Sequence, residues 1–252
     1  MKISILIPVY NEAPTLAELL RRVQIARLPS GCTREIIVIN DGSTDSTASV
    51  LLGLNGATVL HHDTNKGKST AIRTGFANAS GDVVVIQDGD LEYDPNDYQA
   101  LLTPILEGNS DVVYGSRFLG SAANMTRRSR LANKFLTGTA NVLYGANLSD
   151  VATGYKAFRA DVFRRLALQS QRFEFCVEVT AKLLRCGVQI HEVPIRYKAR
   201  TVNAGKKIRA IDGLKAWWTL ARLRFVRCEA VSLRGPKGIH AEVATQTSDK
   251  AA

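Results

Sequence analysis

Two aspartates that flank a single glycine, Asp88 and Asp90, are the residues of this sequence best suited to bind a hard cation. They follow the apolar run Val83–Gln87, so they stand at the end of a predicted strand. Mg²⁺ and Mn²⁺ prefer carboxylate oxygens and take their remaining ligands from phosphate and water. Glu92 adds a third carboxylate nearby. The pattern predicts a Mg²⁺ or Mn²⁺ site on these three side chains, where the cation would neutralise a departing diphosphate.

Further carboxylates follow the first two predicted strands. Glu12 closes the segment PVYNE (8–12), and Asp41 comes directly after the apolar run EIIVIN (35–40). Ligands bind at the carboxyl ends of strands in open parallel sheets, so we expect these side chains to meet the aspartate pair at one edge. The GxGxxG fingerprint of dinucleotide folds is absent after the first strand, which disfavours a nicotinamide enzyme.

A lysine-rich turn, NKGKST (65–70), is similar to a phosphate-binding P-loop because it follows a predicted strand and precedes a predicted helix. A P-loop requires a glycine at the position that His62 occupies, so the sequence disfavours an NTPase. Lys68 remains a candidate contact for a phosphate or for the nucleotide base. The alternative is a solvated lysine in the first turn of a helix.

The elements that must position these residues alternate between strands and helices. Strands are predicted over Ile3–Val9, Glu35–Asn40, Ala57–His61, Val83–Gln87 and Asp111–Tyr114. Helices are predicted over Thr15–Gln24, Ser46–Leu54, Thr70–Ala79 and Asp97–Leu106. This alternation predicts an α/β fold in which a mostly parallel central sheet has helices on both faces.

The pattern changes after Gly115. Helices are predicted over Arg127–Leu143, Asp161–Leu166, Cys176–Cys186 and Asp212–Arg227, and strands over Ala157–Arg159 and Val188–Tyr197. The segment Gly213–Arg227 carries Trp217 and Trp218 among leucines and basic residues, which predicts an amphipathic helix suited to an anionic membrane surface. The alternative is a helix docked on the sheet with an arginine-rich outer face.

Composition narrows the choice of partners. The 252 residues carry a formal net charge of +10, which suits nucleic acid, anionic phosphates or an anionic membrane. Nucleic acid is disfavoured, because aromatic residues are sparse in the basic stretch and the acidic strand ends would repel phosphate. The four cysteines form no CxxC pair, so no zinc site or disulfide framework is predicted. With no apolar run of about 18 residues and no signal peptide, we expect a cytoplasmic protein, peripheral at most to the inner face of the membrane.

Several motifs taken together resemble the family 2 glycosyltransferases, and among them the soluble polyprenyl-phosphate enzymes related to dolichol-phosphate mannose synthase. They are PVYNE (8–12), NDGSTD (40–45), NKGK (65–68), QDGDLEYDP (87–95), GSR (115–117), RRSRLANKFLT (127–137), SDVATGYKAFR (149–159), EVPIRY (192–197) and RTVNAGKK (200–207). The resemblance covers about residues 1–220. It implies a GT-A fold and an inverting, metal-dependent transfer of mannose or glucose from GDP-mannose or UDP-glucose to a polyprenyl phosphate.

The resemblance also implies a domain organisation. One GT-A domain would span residues 1–228, with a nucleotide-binding half over about 1–117 and an acceptor half over about 118–228. Residues 229–252 are rich in small and polar residues, which predicts a disordered tail. Many relatives carry transmembrane helices that this sequence lacks, so a membrane-protein partner is a further expectation.

Roles for individual residues follow from the same resemblance. Nucleotide-sugar binding is assigned to Pro8, Tyr10, Glu12, Asp41, Lys68, Asp88, Gly89, Arg200 and Lys206. The metal is assigned to Asp88, Asp90 and Glu92, the acceptor phosphate to Arg117 and Arg130, and the catalytic set is Asp90, Arg117 and Asp150. The sequence departs from the family pattern at Asn40 (usually Asp), Ser69 (usually Gly) and Gly89 (more often Ala). We expect the two changes between small residues to leave activity intact, and the change at position 40 to weaken the contact with the base slightly.

The acceptor decides whether a catalytic base is needed. A lipid phosphate is already an anion, so its oxygen can attack once arginine and lysine side chains position it and mask its charge. A hydroxyl acceptor on a saccharide or small molecule would instead need a carboxylate base. Asp150 is the favoured candidate for that role, ahead of Glu178, and the sequence leaves both kinds of acceptor open.

Overall fold

The computed structural model describes residues 1–172, 174–200 and 210–225, with side chains from 213 onward in the last segment. The predicted tail 229–252 lies outside the described residues, as do the basic stretch 201–207 and its candidate ligand Lys206.

Within the described residues, seven strands form one sheet in the order β3-β2-β1-β4-β6-β5-β7. Their bounds are β1 (Lys2–Val9), β2 (Thr33–Asp41), β3 (Thr58–His62), β4 (Val83–Ile86), β5 (Val112–Ala123), β6 (Lys156–Arg159) and β7 (His191–Lys198). The pairs β1–β2, β1–β4, β2–β3 and β5–β7 are parallel, whereas β6 runs antiparallel to both of its neighbours. The predicted α/β fold with a mostly parallel sheet is confirmed.

Helices cover both faces of this sheet. They are α1 (Ala13–Ile25), α2 (Thr47–Leu52), α3 (Lys68–Ala77), α4 (Tyr98–Leu106), α5 (Arg127–Tyr144), α6 (Ala160–Arg165), α7 (Phe175–Arg185) and α8 (Ala210–Phe225). Alternate residues of β1 enter opposite cores, because side chains alternate across a strand. Ile5 packs in the core that holds α1 and α4, and Leu6 packs in the core that holds α3, α6 and α7.

The strand β5 is longer than the sequence predicts. Its apolar first residues end at Tyr114, but the strand continues to Ala123 by pairing with β7, with an irregularity between Ser116 and Ser121. The extension is buried only as far as Arg117, is mostly exposed beyond it and lacks an apolar run, so its hydrogen bonds to the partner strand define it. Its course places Arg117 in the sheet, next to β7.

The helices α5, α7 and α8 share a small third core. The Tyr144 hydroxyl of α5 donates to the backbone oxygen of Leu220 in α8 at 2.7 Å, and Arg224 Nε donates to Leu143 O at 2.9 Å. The last helix is therefore docked on the protein by one face. No helix in the described part of the chain is long and apolar enough to span a membrane.

Candidate active site

The aspartate turn after β4 packs against the loop after β1. The Thr15 hydroxyl of α1 donates to Gly89 O at 3.0 Å. A Cβ atom added to Gly89 would lie 2.8 Å from Val9 Cγ1, so the two segments touch where the turn lacks a side chain. This contact brings the carboxylates of Glu12 and Asp90 to the same edge of the sheet, as the strand order predicts.

The Arg200 side chain lies among those carboxylates. Its Nη1 is 2.9 Å from Glu12 Oε2, and its Nη2 is 3.0 Å from Asp90 Oδ2. Its backbone N–H also donates to Glu92 Oε1 at 2.8 Å. A residue that follows β7 therefore contacts groups from the ends of β1 and β4. The Nε atom of Arg200 is buried and has no hydrogen-bond partner within the described residues.

Negative charge is crowded at this edge. Burial, together with the charges of Asp88 and Glu92, outweighs the opposing effect of Arg200 and raises the pKa of Asp90 to about 7. The edge holds four carboxylates, on Glu12, Asp88, Asp90 and Glu92. Among the described residues, the cations paired with them are Lys68 and Arg200, so with all four carboxylates ionised the formal charge of this group is minus two. A divalent cation would balance that charge.

The predicted three-carboxylate metal site is not assembled in the structure. Glu92 Oε2 accepts from the Tyr197 hydroxyl at 2.7 Å, and Oε1 accepts from the Arg200 backbone, so protein donors engage both oxygens and its assignment as a metal ligand stays a prediction. Among the described residues, no group of three or more His, Cys, Asp or Glu side chains is arranged to hold a metal ion. Asp88 and Asp90 still present hard oxygen ligands, which fits a cation that completes its shell with phosphate and water.

Asp41 shapes the lysine-rich turn. Its buried carboxylate accepts from Lys66 N at 2.9 Å and from Gly67 N at 2.7 Å, and it also contacts His62 Nδ1 at 2.7 Å. Gly67 has a φ of +91°, and a Cβ there would collide with the backbone of Gln171. Protein groups already engage both oxygens of Asp41. Its predicted contact with the nucleotide stays a prediction.

The backbone amides of the same turn do not form a phosphate cradle. Ser69 N and Thr70 N point to the carbonyl oxygen of Gln171, at 3.0 and 3.4 Å. This arrangement agrees with the sequence argument against a P-loop. Lys68 is paired with Asp88 in the site, so the interpretation as a solvated lysine is wrong. Burial acts to lower the pKa of Lys68, but the charges of Asp88 and of its other neighbours, together with the hydrogen bond to Asp88, outweigh burial and the pKa is raised.

Arg117 and Asp150 form a buried pair on the other side of the site. Arg117 Nε and Nη2 donate to the two oxygens of Asp150, each at 2.7 Å, and the Arg117 backbone N–H donates at 3.1 Å. Asp150 is 0% exposed. The hypothesis that Asp150 acts as a base on a hydroxyl acceptor is corrected, because a carboxylate enclosed in this way cannot reach a substrate. Its oxygens hold Arg117 instead.

The remaining predicted site residues lie outside the carboxylate group around Arg200 and the Arg117–Asp150 pair. Pro8, near the end of β1, and Tyr10, in the loop after it, are half-buried. Arg130 is exposed on α5, with its guanidinium carbon 5.9 Å from the ring centre of Phe118, the neighbour of Arg117. The less favoured base, Glu178, accepts from two backbone amides and pairs with Lys182, which is a structural role.

Tyr197 connects the two sides of the site, and the sequence analysis gave it no role. Its hydroxyl donates to Glu92, and the guanidinium carbon of Arg117 lies 5.1 Å from its ring centre. Lys156 was missed as well: it is fully buried, 3.2 Å from Val151 O and 3.2 Å from the ring centre of Tyr114. Both residues lie in motifs that carry the family resemblance. For Lys156 the sequence held a further indication of a special role, because it places a lysine directly before a predicted strand.

The model for glycosyl transferase family 2 matches residues 4–167, and the chain belongs to this family. Membership confirms the predicted family and the enzyme class, glycosyltransferase. The chain is 33% identical to a dolichol-phosphate mannosyltransferase of Pyrococcus furiosus, over 82% of this chain and 59% of that protein. It is 30% identical to an undecaprenyl-phosphate mannosyltransferase of Micrococcus luteus, over 84% of this chain and 90% of that protein.

The relatives differ in length. The chain spans 59% of the Pyrococcus protein and 55% of a Haloferax volcanii hexosyltransferase of low-salt glycan biosynthesis. Among solved structures, it is similar to the glucosyl-3-phosphoglycerate synthase of Mycobacterium tuberculosis in complex with Mn²⁺, uridine diphosphate and phosphoglyceric acid. The TM-score is 0.69 at 22% identity, over 90% of this chain and 80% of that chain. This likeness concerns the fold, which is GT-A.

Proposed function

We propose that this chain transfers a hexose, mannose or glucose, from a nucleotide-diphosphate sugar to a polyprenyl phosphate, with inversion at the anomeric carbon. GDP-mannose and UDP-glucose are the candidate donors. The observation that carries the proposal is the Arg117–Asp150 pair: an enclosed carboxylate, which is not free to act as a base, holds an arginine in a fixed position. Such a pair suits an acceptor that arrives as an anion.

The donor would bind at the end of the sheet formed by β1, β2 and β4. Asp88 and Asp90 would hold Mg²⁺ or Mn²⁺, and the cation would supply neutralisation of the diphosphate leaving group. The segment with Pro8, Tyr10 and Glu12 lies beside the turn that carries Asp88 and Asp90. Lys68 adds a positive charge there through its pair with Asp88. The formal charge of minus two at this edge supports a divalent cation. The half of the chain up to about residue 117 is thus the proposed donor-binding half.

The acceptor would approach from the half that follows. Arg117 is preorganised, because Asp150 fixes its guanidinium and Glu192 in turn accepts from the backbone N–H of Asp150 at 2.9 Å. Arg130 is exposed on the neighbouring helix and would recruit the same phosphate. Masking and positioning the phosphate charge contributes to the rate without any proton transfer by the protein.

A polyprenyl phosphate lies in a membrane, so the proposal includes a peripheral contact of the protein with the membrane surface. Exposed apolar side chains lie on the outer faces of α5 and α8: Leu131, Phe135, Val142, Leu214, Trp217, Trp218 and Phe225. Basic residues accompany them on both helices, as in helices that lie on anionic bilayers. A vesicle co-sedimentation assay tests this surface. Trp218→Ser should reduce binding to anionic vesicles, while Leu52→Ser, an exposed leucine on α2, should leave it unchanged.

A donor screen tests the reaction. The protein, Mn²⁺ or Mg²⁺ and a short-chain polyprenyl phosphate are combined with labelled GDP-mannose, UDP-glucose, or the related UDP- and dTDP-sugars. We expect labelled lipid from one donor, and no product in EDTA. The matched control is the same polyprenol without its phosphate, which should accept no sugar. Transfer to that alcohol, or nucleotide release without lipid product, would contradict the acceptor and favour a hydroxyl-acceptor transferase.

A further inference from the structure

The position of Arg200 has consequences for how the donor site receives its cation. One guanidinium contacts carboxylates from two different loops, Glu12 at 2.9 Å and Asp90 at 3.0 Å. Both carboxylates are largely buried, so their mutual repulsion is screened little by water. Arg200 places a positive charge between these two carboxylates and so reduces their repulsion.

The arrangement leaves Arg200 incompletely satisfied. Its Nε is buried without a hydrogen-bond partner within the described residues, and Glu92 Oε1 is too distant at 3.9 Å. An unsatisfied buried donor is unfavourable, and more so when the group is charged. A phosphate oxygen would satisfy that donor, because the arginine fork matches phosphate geometry.

The main chain of Arg200 is held independently of its side chain. The backbone N–H donates to Glu92 Oε1 at 2.8 Å, and Glu92 is fixed by the Tyr197 hydroxyl at 2.7 Å. The backbone N–H of Lys198 also donates to Glu92 O at 2.9 Å. The guanidinium can therefore turn from one partner to another while its Cα stays anchored at the end of β7.

We propose that Arg200 is an internal counter-cation of the donor-free enzyme, which a divalent metal must displace from Asp90 before the donor site is complete. The displaced guanidinium then pairs with the diphosphate that the metal brings. Metal and nucleotide consequently bind together, and either one alone binds weakly. This inference rests on the proposed function, because it uses the metal site at Asp88 and Asp90.

Metal titrations without substrate test the competition directly. Mn²⁺ is titrated into the protein and free Mn²⁺ is followed by electron paramagnetic resonance, with no nucleotide present. We expect Arg200→Met to bind Mn²⁺ at least about 10-fold more tightly than the wild type, since removing a competing charge at this distance is worth about 1.4 kcal/mol or more. In the presence of Mn²⁺, the same variant should bind GDP or UDP less tightly than the wild type.

Arg196→Met is the matched control. Arg196 lies on β7, four residues before Arg200, and pairs with Asp97 at 2.8 Å, so its loss removes the same charge without touching Glu12 or Asp90. Its Mn²⁺ affinity should equal that of the wild type. Arg200→Lys, which keeps the charge, should stay close to the wild type as well. Equal Mn²⁺ affinity in the wild type and Arg200→Met would overturn the inference.

Stability provides a second readout if Arg200→Met folds poorly. Mn²⁺ alone should raise the melting temperature of this variant more than that of the wild type, because the metal replaces the missing cation. An equal or smaller increase would count against displacement. Failure of every protein to bind Mn²⁺, even with GDP or UDP present, would reject the metal site and the inference together. Lipid glycosylation is measured separately, so failure of the acceptor assignment remains distinguishable.

Discussion

The donor side and the acceptor side of this site organise charge in opposite ways. On the donor side, Arg200 is shared between Glu12 and Asp90, and the edge keeps an excess of negative charge. On the acceptor side, Arg117 and Asp150 form a one-to-one pair with two short hydrogen bonds. A shared and incompletely paired arginine can exchange its partners, whereas an enclosed pair cannot. The donor side is therefore arranged to accept a cation, and the acceptor side to hold one arginine still.

The largest expected effect lies on the donor side. Asp90→Ala should lower the rate of sugar transfer at least about 100-fold, because it removes a ligand of the cation that neutralises the diphosphate. Circular dichroism should show an intact fold, since Arg200 keeps Glu12 as a partner. Transfer rates are measured at saturating Mn²⁺. Turnover near that of the wild type would remove Asp90 from the site.

The next largest effect should appear on the acceptor side, as lost stability. Asp150→Asn leaves Arg117 buried without its counter-charge, which costs about 3–5 kcal/mol in comparable buried pairs. Urea unfolding measures the loss. Glu18→Gln is the control, because it breaks an ion pair on the surface of α1 and should leave the unfolding midpoint unchanged. A small loss in Asp150→Asn would mean that the two sides differ less than the geometry indicates.

A pH-dependent effect is expected at Lys156, whose Nζ donates to the backbone oxygen of Val151, the neighbour of Asp150. Burial lowers the pKa of Lys156 to about 8, so the folded state releases this proton more readily than the unfolded chain. The unfolded chain binds more protons between about pH 8 and pH 10, so Lys156 destabilises the fold at neutral pH and less so as the pH rises. The free energy of unfolding of the wild type should rise relative to Lys156→Met by on the order of 1–3 kcal/mol across that window. A difference that stays constant with pH would show that Lys156 titrates normally.

The smallest expected effect concerns the contact between the two donor-side loops. The sequence suggests that Gly89 and alanine are interchangeable, but a Cβ there would lie 2.8 Å from Val9 Cγ1. Gly89→Ala should therefore cost about 1 kcal/mol and lower transfer a few-fold, as for mild overpacking. Gly138→Ala is the control, because a Cβ at that exposed helical position meets nothing within 4 Å. Full activity in Gly89→Ala would show that the donor-side loops adjust more freely than we infer.

Much of this architecture is predictable from short-range patterns. The helical spacing of Leu16, Leu19, Leu20 and Val23 predicts the face that α1 buries, and the structure has that face in the core. The acidic residues after β1 and β4 are expected at one edge because parallel strands share a direction. The same logic fails for β5, whose outer half has no apolar pattern and is defined by its pairing with β7.

The amino-acid sequence by itself determined the order of strands and helices and which charged residues follow the strand ends. Which of those charges would pair was decided only by the tertiary structure. Arg200 and Asp90 are 110 positions apart, and they meet because β5 and β7 lie beyond an antiparallel β6 at one side of the sheet. Periodicity reports on neighbours along one element, whereas ion pairs between distant loops depend on strand order. For that reason the sequence did not predict that Glu92 and Asp150, interpreted as a metal ligand and a base, each accept hydrogen bonds from an arginine distant along the chain.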